Sequence, residues 1–240
     1  MKIKGNLIIF GTDNEKRKDV RKLKEKKLQI VLDEKNNLPT FEINNKEYIK
    51  DLAELKIEEL FGTDKFYIEQ LYTWADPNYY TKESEMIITY LVVINKKNIK
   101  NELKNIGFYD VFILSNENKK IQYEIETVVS NKRKNIEYTN RLVKDSDISE
   151  LNAIIIHTGI KRLRNRIENT NIAFSFLDDE FAISELQQVY EIILDKKLVP
   201  ANFRKKIEPM IKKTGKVVKE SAYRPSSQYT FNEDFVKNWV

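Results

Sequence analysis

Basic side chains are concentrated in one short stretch near the C-terminus. Residues 196–224 contain ten Lys and Arg residues but only two acidic residues, Glu208 and Glu220. The preceding stretch, residues 178–195, has six acidic residues and no basic one. Clustered cations raise the local concentration of anions, and the phosphate backbone of a nucleic acid is a common partner of such a surface. The charge pattern therefore predicts a surface that faces a polyanion.

Two short helices are predicted on either side of this charge reversal. Apolar residues at positions 186, 189, 190, 193 and 194 recur at helical spacing, and a capping box between Ser184 and Gln187 begins this first helix. Pro200 suits the first turn of a second helix, which buries Phe203 and Ile207. This order is typical of a helix-turn-helix, in which the second helix enters the major groove of DNA.

The exposed side of the second helix is predicted to read DNA. An Asn side chain can pair with adenine and an Arg side chain with guanine, whereas Lys mostly contacts phosphates. The residues of these types on that side are Asn202, Arg204, Lys205 and Lys206.

A β-hairpin is predicted after the second helix. Thr214-Gly215 is interpreted as a turn, with strands at residues 216–223 and 228–231, and residues 181–183 are expected to pair with the hairpin. Together these elements would form a winged helix whose wing contacts the DNA backbone. The alternative is a helical subdomain with a solvated basic face. The complete set of predicted DNA-binding residues is Ser184, Gln187, Asn202, Arg204, Lys205, Lys206, Lys213, Lys216, Lys219 and Arg224.

The first half of the chain is predicted to combine strands with one helix. Residues 47–60 have mostly helical spacing and are followed by Gly62, a residue that commonly ends helices. β-branched and aromatic residues predict strands at residues 7–10, 28–32, 66–74, 86–94, 109–114 and 121–130. Strands with one central helix indicate an α+β fold.

A longer helix is predicted at residues 148–167, where apolar residues form one stripe. A helix at this place suits a connector between domains, and its stripe could equally serve a dimer partner. The predicted organisation is a first domain at residues 1–145 and a second at residues 146–240, the latter made of this helix and the winged helix.

Composition excludes several kinds of chemistry. The absence of cysteine rules out disulfides, thiol catalysis and Cys-ligated metals. The single histidine, His157, argues against Ser-His catalysis and is expected to have a packing role. No apolar run approaches the roughly 20 residues that span a bilayer, and the N-terminus is too short and too strand-like for a signal peptide. A cytoplasmic protein with no membrane partner and no cofactor is expected.

Several segments resemble the Nudix-related transcriptional regulators. Residues 170–191 and 202–207, with Arg224-Pro225 and residues 229–231, are similar to the C-terminal winged helix of that family. Residues 67–77 are similar to its strand-and-loop signature, and Leu38-Pro39 to the dipeptide that precedes the Nudix box. The resemblance implies a Nudix-like α/β/α sandwich with a mixed sheet, followed by a winged helix-turn-helix. It also implies a metabolite sensor, operator DNA as partner and a homodimeric repressor.

The Nudix hydrolase box, G-x5-E-x7-R-E-U-x-E-E-x-G-U with U aliphatic, is incomplete in this chain. Its glutamates hold the divalent metals that bind the diphosphate of the substrate. Anchoring the box on Gly62 keeps Glu47 and Glu59 but puts Lys56 where a metal-binding glutamate belongs. Shifting the register by one residue recovers Glu58 and Glu59 but loses Gly62 and Glu47. No catalytic residue and no metal site are therefore predicted.

The favoured hypothesis is a sequence-specific DNA-binding transcription regulator, a repressor, whose inactive Nudix-like domain senses a ligand. The resemblance suggests an ADP-ribose-like nucleotide or another phosphorylated metabolite, and the weakly predicted ligand-binding residues are Trp74, Asp76, Glu47 and Glu59. The enzyme alternative is a metal-dependent Nudix hydrolase of a nucleoside diphosphate derivative such as ADP-ribose. A third reading is a protein-interaction module whose winged helix no longer binds DNA.

Overall fold

A computed structural model describes most of the chain. The described residues are 2–13, 26–44, 46–75, 85–115, 121–126, 133–139, 142–143, 148–218 and 226–236. Three of the predicted site residues, Asp76, Lys219 and Arg224, lie outside them.

A large mixed sheet forms the first part of the molecule. Its strands follow the order β4-β5-β1-β2-β6-β7-β8-β9, with β3 also paired to β1. β1 and β5 run parallel, whereas the other neighbouring strands are antiparallel. The strands are β1 (Lys2–Thr12), β2 (Leu28–Asp33), β3 (Thr40–Glu42), β4 (Phe66–Trp74), β5 (Glu85–Ile94), β6 (Ile106–Ser115), β7 (Ile121–Glu126), β8 (Arg133–Thr139) and β9 (Leu142–Val143).

Two helices cover the two faces of this sheet. Side chains alternate along a strand, so Tyr90 and Val92 of β5 pack with the core around α1 (Ile49–Phe61), whereas Leu91 and Val93 pack with the core around α2 (Glu150–Ile167). α1 ends as predicted at Gly62, which adopts a left-handed φ of 66°. The result is the predicted α/β/α sandwich with a mixed sheet.

α2 lies directly on the sheet. Gly159 permits a close approach, because a Cβ at this position would stand 2.3 Å from Cδ1 of Ile8 and 3.4 Å from Cε2 of Phe10. At the start of the helix, Asn152 donates from Nδ2 to Oδ1 of Asn37 at 3.3 Å. The helix therefore forms one layer of the sandwich as well as leading into the C-terminal part. The predicted domain boundary at residues 145–146 stays a prediction.

The C-terminal part contains two helices and a two-stranded hairpin. α3 (Ile183–Leu194) and α4 (Pro200–Ile207) are followed by β10 (Ile211–Val218), β11 (Ser226–Phe231) and a short α5 (Glu233–Val236). As predicted, the chain before α3 pairs with the hairpin, since Phe181 and Tyr229 exchange both backbone hydrogen bonds at 2.9 Å. The apolar side chains of α3 and α4 join the same core that lies beneath α2.

Two sequence predictions about local structure are wrong. Thr214-Gly215 is not a turn that precedes the first strand of the hairpin: β10 already begins at Ile211, and its register against β11 shifts between Lys213 and Val217. Gly215, with a φ of 80°, lies within this irregular stretch of the strand. The prediction failed because a glycine is compatible with a bulge in a strand as well as with a turn.

The predicted capping box is also misplaced. α3 begins two residues earlier, with Ala182 at its N-cap in place of Ser184. The backbone N–H of Ala182 donates to Oε2 of Glu185 at 2.8 Å. The alanine side chain has no acceptor, so only this half of a capping box exists.

Among the described helices, none is long and apolar enough to cross a membrane.

Candidate nucleic-acid interface

The turn between α3 and α4 is held by one glutamate. Oε1 of Glu191 accepts hydrogen bonds from Nε2 of Gln187 at 3.0 Å and from the backbone N–H of Leu198 at 2.9 Å. The same Gln187 amide also donates to the carbonyl of Leu198 at 3.0 Å, and Asp195 takes a left-handed conformation with a φ of 50°. These contacts fix where α4 begins relative to α3.

α4 buries one side and exposes the other. Phe203 is 4% and Ile207 0% exposed, and the ring of Phe203 meets the ring of Tyr190 edge-on with centroids 5.1 Å apart. Beyond the first two residues of α4, the side chains that point away from this core are polar or basic, as the helical spacing predicts. They are Asn202, Arg204, Lys205 and Lys206, each exposed.

The exposed cations of α4 have different surroundings. Arg204 donates from Nη2 to the hydroxyl of Tyr229 on β11 at 3.1 Å. On the opposite flank, Nζ of Lys206 lies 3.8 Å from Oε1 of Glu168 and 5.7 Å from the ring centroid of Tyr190. Lys205 forms no ion pair with any residue that the structure describes, and Asn202 lies one turn away from Lys206. At helical spacing, Lys205 lies opposite the buried Phe203 and Ile207, and Asn202 lies beside it.

The hairpin adds further cations beside α4. Lys213 is exposed on β10, and Nζ of Lys216 pairs with Oε1 of Glu180 at 2.6 Å. Because Tyr229 of β11 contacts Arg204, the hairpin is attached to α4 by a side-chain bond as well as through the core.

Two predicted DNA-binding residues occupy different positions from the rest. Ser184 is exposed at the second position of α3, whereas Gln187 is half-buried and bonded within the α3–α4 turn. Gln187 therefore has a structural role in positioning α4, which sequence spacing alone could not distinguish from a phosphate contact.

The predicted ligand residues of the first domain are not brought together. Trp74 is 8% exposed in the core on the α2 face, where its Nε1 donates to Oγ1 of Thr89 at 3.0 Å. Glu47 and Glu59 lie on the opposite side, near α1. Glu47 is exposed and accepts from Nδ2 of Asn44 at 2.8 Å. Trp74 and these two glutamates therefore do not line a common pocket.

The helix that was aligned with the incomplete Nudix box, α1, carries an ion pair between Lys56 and Glu59. Nζ of Lys56 donates to both carboxylate oxygens of Glu59 at 2.9 Å. Within the described part of the chain, no group of three His, Asp or Glu residues could hold a metal ion.

The signature strand β4 is attached to α2 by one carboxylate. Glu69 accepts hydrogen bonds from Nη1 of Arg162 at 3.3 Å and from the hydroxyl of Tyr67 at 2.9 Å, and it pairs with Nη2 of Arg166 at 3.0 Å. Burial, followed by the hydrogen bond to Glu69, raises the pKa of Tyr67 to about 12. His157, half-buried on the same helix, has its pKa lowered by burial and by Lys161. These groups act in packing.

A family match identifies the C-terminal part. Residues 173–231 match the NrtR DNA-binding winged helix domain. The C-terminal domain is an NrtR-type winged helix. Its α4 corresponds to the second helix of the helix-turn-helix, and its β10–β11 hairpin is the wing. None of the curated proteins matches the chain in sequence.

Solved structures share the fold over nearly the whole chain. NrtR from Shewanella oneidensis, complexed with a 27mer DNA, is 16% identical with a TM-score of 0.70, over 98% of this chain and 95% of that one. A MutT/nudix family protein from Enterococcus faecalis is 15% identical with a TM-score of 0.72, over 96% and 88%. At this identity the likeness establishes the fold: a Nudix-like sandwich followed by the NrtR-type winged helix.

Three contacts of the winged helix have no signal in the sequence. Tyr229 bonds to Arg204, Glu180 to Lys216, and Asp178 to the first domain through Lys97 and Asn95. Each contact joins residues distant in the chain, so only the folded arrangement reveals it.

Proposed function

We propose that this chain is a transcription regulator that binds a specific operator in double-stranded DNA through its NrtR-type winged helix. The observation that carries the proposal is the exposed polar side of α4, centred on Asn202 and Lys205, within a domain of a DNA-binding family. In winged helices the second helix of the motif enters the major groove. We also propose that the protein acts in the cytoplasm.

The residues of the proposed interface are expected to make different kinds of contact with DNA. Asn202 is suited to a bidentate contact with adenine, and Lys205 to phosphate or to guanine. Arg204, attached to Tyr229, would lie between the helix and the wing. Lys213 and Lys216, with Lys219 and Arg224, would contact the backbone and set the register of the protein on the duplex. Ser184 at the start of α3 would also lie near the backbone.

The interface is tested with a matched pair of lysines on α4. Lys205→Ala should weaken binding to DNA from upstream of the gene by about tenfold and reduce the salt dependence of binding by about one phosphate contact. Lys206→Ala removes the same charge from a side chain that faces Glu168, so it should change affinity much less. Equal effects of the two variants in a fluorescence-anisotropy titration would contradict the proposed orientation of α4.

Sequence reading is tested at Asn202. Replacing it with Ala should cost about 1–3 kcal/mol of discrimination at one base pair and leave non-specific binding nearly unchanged. The measurement is the affinity ratio between the operator and singly substituted duplexes. A uniform loss on every duplex would instead assign Asn202 to the backbone.

We further propose that the Nudix-like domain has lost hydrolase activity and acts as a sensor. The support is the Lys56–Glu59 pair at 2.9 Å in place of a metal-binding pair of acids. The effector would be an ADP-ribose-like nucleotide or another phosphorylated metabolite. It can change DNA affinity only if it binds one arrangement of the protein better than another. Trp74, Asp76, Glu47 and Glu59 stay candidates for contacts with the effector, but Trp74 and the two glutamates would belong to separate places, because they lie on opposite faces of the sheet.

Incubation with ADP-ribose and Mg²⁺ or Mn²⁺ tests the sensor proposal. We expect no turnover, measured as release of AMP, and we expect added ADP-ribose to change the affinity for DNA. Robust turnover would overturn the assignment and favour the hydrolase.

We also propose a homodimeric repressor. Two copies would present two α4 helices to half-sites about one helical turn apart. Sedimentation of the free protein and of its DNA complex would test this, and a monomer on a single half-site would contradict it.

A further inference from the structure

Residues 178–181 lie between the Nudix-like sandwich and the winged helix, and each of them contacts a neighbour. Asp178 pairs through Oδ2 with Nζ of Lys97 and accepts at Oδ1 from Nδ2 of Asn95 at 2.7 Å. Asp179 accepts from Nζ of Lys65 at 2.9 Å. Lys65, Asn95 and Lys97 belong to the ends of β4 and β5 or the turns beside them. The first half of this segment is thereby attached to the sheet domain.

The second half of the segment is attached to the DNA-binding elements. Glu180 pairs with Lys216 of the wing at 2.6 Å. Phe181 is 1% exposed, and its backbone pairs with that of Tyr229 on β11. The hydroxyl of Tyr229 in turn accepts from Arg204 of α4 at 3.1 Å. Four consecutive residues thus form an unbroken chain of contacts from the sheet to both the wing and α4.

The Glu180–Lys216 pair competes with DNA. Both side chains are partly open to solvent, with 41% and 66% of their areas exposed, so the pair is weak and exchangeable. A DNA duplex has a high density of phosphates and binds lysine ammonium groups with release of counterions. A wing lysine cannot hold the Glu180 carboxylate and a phosphate with full strength at the same time.

We infer that residues 178–181 form a strap that holds the wing in the DNA-free protein, and that DNA phosphate displaces Glu180 from Lys216. The inference rests on the proposed function, and it adds a contact that lowers DNA affinity. Asp178 and Asp179 attach the strap to the sheet domain, so a shift of Lys65 or Lys97 in that domain would move the carboxylate that opposes DNA binding. The strap is therefore a physical link between the two parts of the regulator.

Glu180→Gln tests the strap in the full-length protein, with a short mixed-sequence duplex at low salt as the probe. Because removal of one exposed ion pair frees Lys216, we expect tighter binding by about two- to fivefold. Glu233→Gln is the matched control: it removes the same charge from an exposed residue of the winged helix that forms no ion pair with any described residue. It should leave affinity nearly unchanged.

A second pair of variants assigns the effect to Lys216. In a Lys216→Met background, Glu180→Gln should no longer tighten binding, whereas Glu233→Gln should act as it does in the wild type. Three results would contradict the strap proposal: Glu180→Gln fails to tighten DNA binding, Glu233→Gln tightens it equally, or the increase in affinity caused by Glu180→Gln persists in the Lys216→Met background. Absence of any DNA binding by the wild type would overturn the proposed function as well, and so distinguishes the two failures.

Discussion

At the scale of single residues, the decisive observations are side chains with an unexpected partner. Lys56 of α1 pairs with Glu59, and Glu180 pairs with Lys216 of the wing. Tyr190 is a third case. It is 1% exposed at the junction of α3 and α4, and burial, with a smaller contribution from Glu168, raises its pKa to about 12.

The buried Tyr190 hydroxyl predicts a loss of stability at alkaline pH. The pKa of Tyr190 in the folded state lies above the value of 10.0 that describes the unfolded state. The folded state therefore favours the neutral hydroxyl. Below about pH 10 the full stability is present, and stability is lost as the pH rises from about 10 to about 12. Tyr190→Phe should reduce the stability lost between about pH 8 and pH 11 by on the order of 1 kcal/mol. Free energies of unfolding in urea at the two pH values measure this.

Tyr72→Phe is the control for that measurement, because the Tyr72 ring is 55% exposed on β4. It should leave the pH dependence of stability as it is in the wild type. An unchanged pH dependence in Tyr190→Phe would show that ionisation of Tyr190 does not limit alkaline stability.

At the scale of elements, α2 connects the two parts of the protein through packing on both sides. One side lies on β1 through Gly159, Ile8 and Phe10. The helix also bears on the C-terminal part, since Nη2 of Arg164 donates to the carbonyl of Leu194 at the end of α3 at 3.0 Å. α2 therefore contacts both the sheet and the base of the helix-turn-helix.

A larger residue at position 159 should separate α2 from the sheet. Gly159→Val would place atoms within contact distance of two fully buried side chains, and overpacking of this kind typically costs about 1–3 kcal/mol. Asn165→Val, at an exposed position of the same helix, controls for placing a β-branched side chain in α2 without burying it. Chemical denaturation of both variants compares the costs. A Gly159→Val variant as stable as Asn165→Val would show that the core accommodates the larger side chain.

At the scale of the whole molecule, one apolar core runs from the sheet into the winged helix. The same cluster of buried side chains includes Ile8 of β1, Ile155 of α2, Leu186 of α3 and Phe203 of α4. Segments that share a core tend to unfold as one cooperative unit. The sandwich and the winged helix are thus joined by packing as well as by the strap.

This continuous core predicts coupled unfolding. Amide hydrogen exchange as a function of urea should show the same global transition for slowly exchanging amides of β5 and of α3. If α3 amides exchanged through a separate transition at lower urea, the winged helix would be an independent unit, and the coupling would depend on the polar strap alone.

Much of the fold followed from local patterns. Aromatic and β-branched runs located β4 and β5, the apolar spacing located α1, α2 and α3, and Gly62 marked the end of α1, because each of these signals depends on neighbours in the chain. The capping residue was misplaced and Thr214-Gly215 was wrongly interpreted as a turn, since Ser and Gly fit several local structures equally well. Which side of α4 carries Lys205 and which carries Lys206 also follows from helical spacing.

The sequence by itself determined that this chain has a basic helix-turn-helix with a wing and an incomplete Nudix box, because charge clustering and motif spacing are properties of the linear chain. Only the tertiary structure decided what surrounds those residues. It separated Trp74 from Glu47 and Glu59 on opposite faces of the sheet, turned Lys206 toward Glu168, and brought the acidic residues 178–180 against lysines of the sheet and the wing. Such contacts join residues far apart in sequence, so they depend on how the layers pack.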